Sequence, residues 1–173
     1  RHIGLRHPRR GYASVVLPSG QVLVIGGDGQ RSLELVTPNR GVSRQLAMSL
    51  PYPLDDAQAV LLAGVRVWIT GGQDSITGDT TDRTWIVNLA GPSSMVEGPR
   101  LNVEAGVADH CLVPFERQWL ILVGGESQRQ RQDRELRVAW LLSPETLSVK
   151  RLASTDWPHD DASALGQNAV RPH

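Results

Sequence analysis

The chain has 173 residues, enough for one domain of ordinary size or for part of a larger one. It carries 18 basic and 18 acidic side chains, and this formal neutrality argues against a protein that works by coating phosphate backbones or acidic membranes. Hydrophobic residues make up 40%, enough to fill a core, and the single cysteine, Cys111, excludes an internal disulfide and a Cys-rich zinc module.

The chain opens on Arg1 instead of Met. Ile3-Gly4-Leu5, followed by Pro8, reads as a strand that ends a preceding repeat, with its linker. Residues 13–17, the turn Pro18-Ser19-Gly20 and Val22-Leu23-Val24-Ile25 read as a hairpin closed by Gly26-Gly27. Further strands are expected over about 33–36 and 43–48. The second repeat has an apolar run over 57–62, the turn Ala63-Gly64, and Val67-Trp68-Ile69-Thr70 before Gly71-Gly72. Its later strands fall over about 83–88 and 94–97. The third has residues 107–114, the turn Phe115-Glu116-Arg117, and Trp119-Leu120-Ile121-Leu122-Val123 before Gly124-Gly125. Its later strands fall over about 135–142 and 148–152. Residues 162–165 read as the first strand of one more repeat. Short β-branched apolar runs that end in glycine read as strands buried on both faces. The longest span about seven residues, far short of the roughly 20 that cross a bilayer as a helix. No window keeps helical periodicity between caps.

A second match fixes the period. Tyr52-Pro53-Leu54-Asp55-Asp56-Ala57-Gln58-Ala59-Val60 resembles Trp157-Pro158-His159-Asp160-Asp161-Ala162-Ser163-Ala164-Leu165. The two lie about 105 residues apart, two periods of about 52, and a period near 50 is the signature of kelch-type propeller repeats. Over almost its whole length the chain resembles kelch repeats of the β-propeller class. The resemblance is carried by the three double glycines, by Trp85 and Trp140 on the third strand of their repeats, and by Glu97-Gly98-Pro99-Arg100-Leu101-Asn102 before His110. An aromatic is missing from the third strand of the first repeat and from the fourth strands.

The resemblance implies an all-β chain: a partial propeller of three four-stranded antiparallel blades with flanking strands. Residues 1–11 would end one blade, 12–50, 51–101 and 102–153 would form three, and 154–173 would begin another. With strands A to D in each blade, the antiparallel order puts the B–C loops and the D–A linkers on one face. The double glycines Gly26, Gly27, Gly71, Gly72, Gly124 and Gly125 have a structural role, because a residue without Cβ tolerates unusual φ and close backbone approach.

That face holds the candidate binding residues: Arg9, Arg10, Arg31, Asp55, Asp56, Asp74, Glu104, Arg129, Arg131, Asp160 and Asp161. Loops on a rigid scaffold are where binding chemistry sits. The Arg/Gln-rich stretch over 127–134 suits bidentate Arg–carboxylate contacts. The expected function is a non-enzymatic scaffold that binds a peptide or protein there, with further blades of a parent chain as its other partner.

Other chemistry finds less support. Asp109-His110-Cys111 sits in a strand, so His110 points away from its neighbours, as suits a hydrogen-bonded His and a buried Cys. Asp74, Asp79 and Asp82 form an oxygen-rich loop without EF-hand spacing, expected to be loose and solvated. The repeated Asp-Asp pairs read as turn residues that accept backbone N–H bonds, not as an acid/base pair. His2, His7, His110, His159 and His173 show no metal-ligand spacing. The tryptophans read as core. There is no phosphate loop and no nucleophile elbow, and neither a cofactor nor a metal is expected. The basic N-terminal stretch lacks the interleaved aromatics of a nucleic-acid site. A likeness to galactose-oxidase-like copper propellers, on Arg10-Gly11-Tyr12-Ala13-Ser14 and residues 20–27, gives one enzyme alternative. Its copper ligands cannot be mapped onto Tyr12, Tyr52 and Cys111, which lie in different repeats. A sugar-binding face that stacks on Trp140 and Trp157 is a second alternative.

Overall fold

The computed structural model describes residues 3–115, 119–129, 132–136 and 139–152. Among them every regular element is a strand, and there is no helix. The first sheet holds β1 (Ala13–Val16), β2 (Val22–Ile25), β3 (Ser32–Thr37) and β4 (Val42–Ser49), hydrogen-bonded in that order. After β5 (Leu54–Asp55) come β6 (Gln58–Leu61), β7 (Arg66–Thr70), β8 (Gln73–Asp74), β9 (Thr84–Asn88) and β10 (Ser94–Glu97). The second sheet has the order β6-β7-β9-β10, and β5 pairs separately with β8. The third sheet uses β11 (Cys111–Phe115), β12 (Trp119–Val123), β15 (Ala139–Ser143) and β16 (Ser148–Arg151). Between its middle strands, β13 (Glu126–Arg129) and β14 (Gln132–Glu135) form a two-stranded ribbon. Every pairing is antiparallel.

Three expectations shift. Ile3-Gly4-Leu5 forms no strand. The first strand of the third sheet begins at Cys111, because residues 104–110 are held by turns and an isolated bridge between Ala108 and Glu126. Glu135 pairs with Glu126 in the ribbon instead of opening the third strand. The polar run over 126–135 offers no apolar face for a core, so it pairs with itself at the sheet's end.

The continuous apolar runs find their reason in packing. On β7, Val67 and Ile69 enter the core shared with the first sheet, and Trp68 enters the core shared with the third. On β9, Trp85 and Val87 go one way and Ile86 the other. Alternation is intact, but both faces are dry, so both sets are apolar. The first strands of the three sheets lie beside one another, β1 against β6 and β6 against β11.

The first two double glycines lie where the chain leading to the next sheet crosses. A Cβ on Gly26 would land on the Leu54 carbonyl oxygen, and one on Gly71 on that of Val107. Both glycines also sit at positive φ, 62° and 58°. Gly26→Ala therefore combines a left-handed penalty of about 1–2 kcal/mol with a displaced inter-sheet linker. We expect a loss of about 3 kcal/mol or more in denaturant unfolding. Gly20→Ala, also at positive φ (77°) but with nothing within 4 Å of its Cβ position, loses only the first part, about 1–2 kcal/mol.

Candidate functional site

The linkers between sheets share one backbone motif. Gly11, Asp56 and Asp109 each lie two residues before the first ladder pairs, Ala13–Ile25, Gln58–Thr70 and Cys111–Val123. All three are left-handed, with φ of 62°, 53° and 52°. Asp tolerates this region better than most residues, and Gly does so freely. The linkers are tied in series: Asp56 N–H donates to the Gly11 carbonyl at 2.7 Å, and Asp109 N–H to the Asp56 carbonyl at 3.0 Å. The repeated Asp therefore serves mainly as a conformational residue. Its neighbour Asp55 takes the turn role, its Oδ1 accepting the Gly29 N–H at 3.2 Å.

The loop after Gly72 is tightly bonded, contrary to the loose solvated segment expected. Asp74 N–H donates to the Asp79 carbonyl, and Asp74 Oδ1 accepts from Ile76 N–H. Thr80 joins three segments. Its Oγ1 donates to the Ala105 carbonyl at 2.5 Å, and its N–H donates to the Gln128 carbonyl at 2.9 Å. Gln128 N–H in turn donates to Thr80 Oγ1 at 2.9 Å, and the Gln73 and Gln128 amides meet. Backbone crossings brace the layer further, as Val107 N–H donates to the Thr81 carbonyl.

Beside this knot an open cleft of about 850 Å³ is lined by polar groups that include Asp82, Arg83, Arg100, Asn102 and Glu104. Arg100 Nη1 is 2.9 Å from Asp82 Oδ1, and its Nη2 is 3.8 Å from Glu97. Arg83 Nη1 reaches the same Glu97 at 3.4 Å. Glu97 and both arginines are about half exposed, so the network adds little stability and leaves guanidinium donors facing solvent. Sequence reasoning passed over Arg83 and Arg100. The i,i+3 pairing of Glu97 with Arg100 across Pro99 was the available signal.

The expected binding residues divide. Arg10 is exposed and lies 3.7 Å from Asp28. Arg31 is exposed, but its Nε donates to the Leu50 carbonyl. Glu104 is exposed beside the cleft, and Asp55, Asp56 and Asp74 are half-buried. Asp56 is pushed above the usual carboxylate range by burial, and then by the charges of Asp109, Asp55 and Glu126. Arg129 has its backbone in β13. Arg131, Asp160 and Asp161 lie outside the described residues, as do His2, His159, His173 and Trp157. Among the described residues no group of three or more His, Cys, Asp or Glu could hold a metal ion.

Arg9 is a correction. Its guanidinium is buried against the outer face of the first sheet, 3.3 Å from Glu34, with both side chains at 0% exposure. It also donates to the Gly26 carbonyl, the Ser32 carbonyl and Ser32 Oγ. Burial alone would raise the Glu34 pKa. The Arg6 N–H, Ser43 and Arg9 outweigh it, and the carboxyl is held below its ordinary value. Cys111 is a second correction: it is exposed, because it stands on the open face of the third sheet. His110 is bonded as expected, with Nε2 2.8 Å from Thr70 Oγ1, and it is also buried.

No family model and no curated protein matches the chain. The fold defines the class: an all-β chain of successive four-stranded antiparallel sheets. Among solved structures it is similar to that of YjhT, with a TM-score of 0.64, 14% identity, 78% of this chain covered and 54% of that one. The chain thus spans about half the length of that structure, and at this identity the likeness concerns the fold alone.

Two outcomes follow from the buried groups. Arg9→Met leaves Glu34 unpaired and should cost about 3–5 kcal/mol in urea unfolding, most of it recovered in Arg9→Met/Glu34→Leu. Burial lowers the His110 pKa from 6.5 to about 4, so the folded state holds the neutral ring while the unfolded chain takes up a proton. Stability is then full above pH 6.5 and falls as pH drops toward 4, by about 1.4 kcal/mol per unit at most. Unfolding curves between pH 7 and 4.5 should show this slope, and His110→Gln should remove it.

Proposed function

We propose that this chain is a segment of a kelch-type β-propeller that serves as a non-catalytic protein-interaction scaffold. Its binding face is the layer of B–C loops and D–A linkers. The propeller reading is supported by the strand order within each sheet, by first strands that lie side by side, and by the fold likeness. The observation that carries the binding reading is the braced loop layer. Thr80, Gln128 and the chained linker amides hold the loops to the sheets, and next to them two arginines offer guanidinium donors to an open cleft.

A peptide carboxylate entering the cleft would displace Glu97 from Arg83 and Arg100 and gain paired N–H···O contacts. Because the loops are already ordered by backbone bonds, binding costs little loop entropy. Arg10, Arg31 and Glu104 extend the same face. We expect Arg83→Glu/Arg100→Glu and Arg129→Glu/Arg131→Glu each to weaken a captured native partner at least about tenfold in titration calorimetry. Val42→Glu, on the outermost strand of the first sheet, should leave affinity unchanged. Wild-type affinity in both arginine variants would place the site elsewhere.

A further inference from the structure

The two carboxylates beside Arg83 and Arg100 are held in different ways. Arg100 Nη1 donates to Asp82 Oδ1 at 2.9 Å, the ordinary length of a charge-assisted bond. The Asp82 side chain is only 20% exposed, and its backbone carbonyl accepts the Leu101 N–H at 2.9 Å. Leu101 is fully buried in the core shared by the second and third sheets. Asp82 and the Arg100 segment are thus tied through backbone and side chain together. Glu97 has no such hold. A single nitrogen, Arg83 Nη1, stands 3.4 Å from both of its oxygens, and Arg100 Nη2 stands 3.8 Å from Oε1. All three distances exceed the about 2.7–2.9 Å of a good N–H···O⁻ bond. One carboxylate therefore straddles two guanidinium groups without a paired contact to either, and its side chain is 47% exposed.

The backbone that carries Glu97 is fixed. Glu97 ends β10 opposite Trp85, and Gly98 N–H donates to the Thr84 carbonyl at 2.8 Å. Thr84 Oγ1 donates to the Pro99 carbonyl at 2.7 Å, and a Cβ on Gly98 would strike that same hydroxyl. Rotation of the Glu97 side chain alone bares both guanidinium groups, with no loop to rearrange. We propose that Glu97 is an internal competitor for the partner's carboxylate: Arg83 and Arg100 make binding possible, and Glu97 sets how tight it is. The inference rests on the reading of the cleft as a carboxylate-binding site and adds its regulation. The exchange is charge for charge. Arg83, Arg100, Asp82 and Glu97 sum to zero, and an incoming carboxylate restores that balance once Glu97 turns out to water. A ligand must then outbid a carboxylate already in place, which favours one that makes the paired contacts Glu97 lacks. Asp82 has the opposite part: it aims Arg100 and stays bound.

The two acidic residues separate this from a plain effect of charge. The probe is the blocked peptide acetyl-Glu-Glu-Glu-amide, titrated calorimetrically into the full chain at low salt. Glu97→Gln keeps the size of the side chain and removes its charge. We expect it to bind the probe at least about tenfold more tightly than the wild type, and to lose that binding when Arg83→Gln/Arg100→Gln is added. Asp82→Asn removes the same charge from the same cleft but should bind no better than the wild type, because Arg100 loses the bond that aims it. Equal gains in Glu97→Gln and Asp82→Asn reduce the effect to net charge and overturn the proposal. Equal affinity in wild type and Glu97→Gln, abolished by the arginine substitutions, overturns it while the carboxylate-binding reading stands. No binding of the probe by Glu97→Gln overturns both.

Discussion

The bond from the second glycine of the first two pairs to the carbonyl of the next linker is the constraint on which the architecture depends. Gly27 to Leu54 and Gly72 to Val107 place a backbone carbonyl where any side chain on Gly26 or Gly71 would stand. The chain can make this crossing only at a residue without Cβ and at positive φ. Once it is made, the left-handed Asp turns the incoming chain into the first strand of the next sheet, and the remaining strands of that sheet pair in sequence order. Position, direction and register of each sheet relative to its neighbour follow from one backbone contact.

The interior follows from that stacking. The middle sheet gives Val67, Ile69, Trp85 and Val87 to one core, and Trp68 and Ile86 to the other. The first sheet breaks the pattern. Glu34 occupies the register position that Trp85 holds in the second sheet and Trp140 in the third, since each pairs with the residue before the last of its neighbouring strand. A buried carboxylate needs a paired cation and further hydrogen bonds. Arg9 and the Arg6 N–H supply them, so the segment before β1 is held to the outer face by polar contacts where the other interfaces are apolar.

The loop face inherits its order from the same crossings. Linkers bonded in series bring Asp56 and Asp109 together, and burial first, then the charges of Asp109, Asp55 and Glu126, raise the Asp56 pKa. Thr80 ties the second sheet's loop to the β13–β14 ribbon and to the following linker. A layer fixed in this way by backbone and short side chains leaves its long side chains, Arg10, Arg83, Arg100 and Glu104, to meet solvent.

The sequence by itself determined the all-β class, the four principal strands of each of the three sheets and the double glycines that close their second strands. Short apolar runs, turn residues and a repeated Gly-Gly report local conformation and burial, which are encoded residue by residue. It also located Trp68, Trp85 and Trp140 in the core and read His110 as a hydrogen-bonded ring. It did not show that Arg9 is buried, that Cys111 is open, or that residues 126–135 pair into a ribbon. Each of those depends on what lies across a sheet face or at a sheet end: Glu34 for Arg9, an uncovered face for Cys111, the strand's own partner for Glu135. The Arg83–Glu97–Arg100–Asp82 network was hidden for the same reason. Arg83 stands just before β9 and Glu97 ends β10, and only the pairing of those strands brings the two side chains to one cleft. Partners distant in sequence are chosen by packing, and packing is decided in three dimensions.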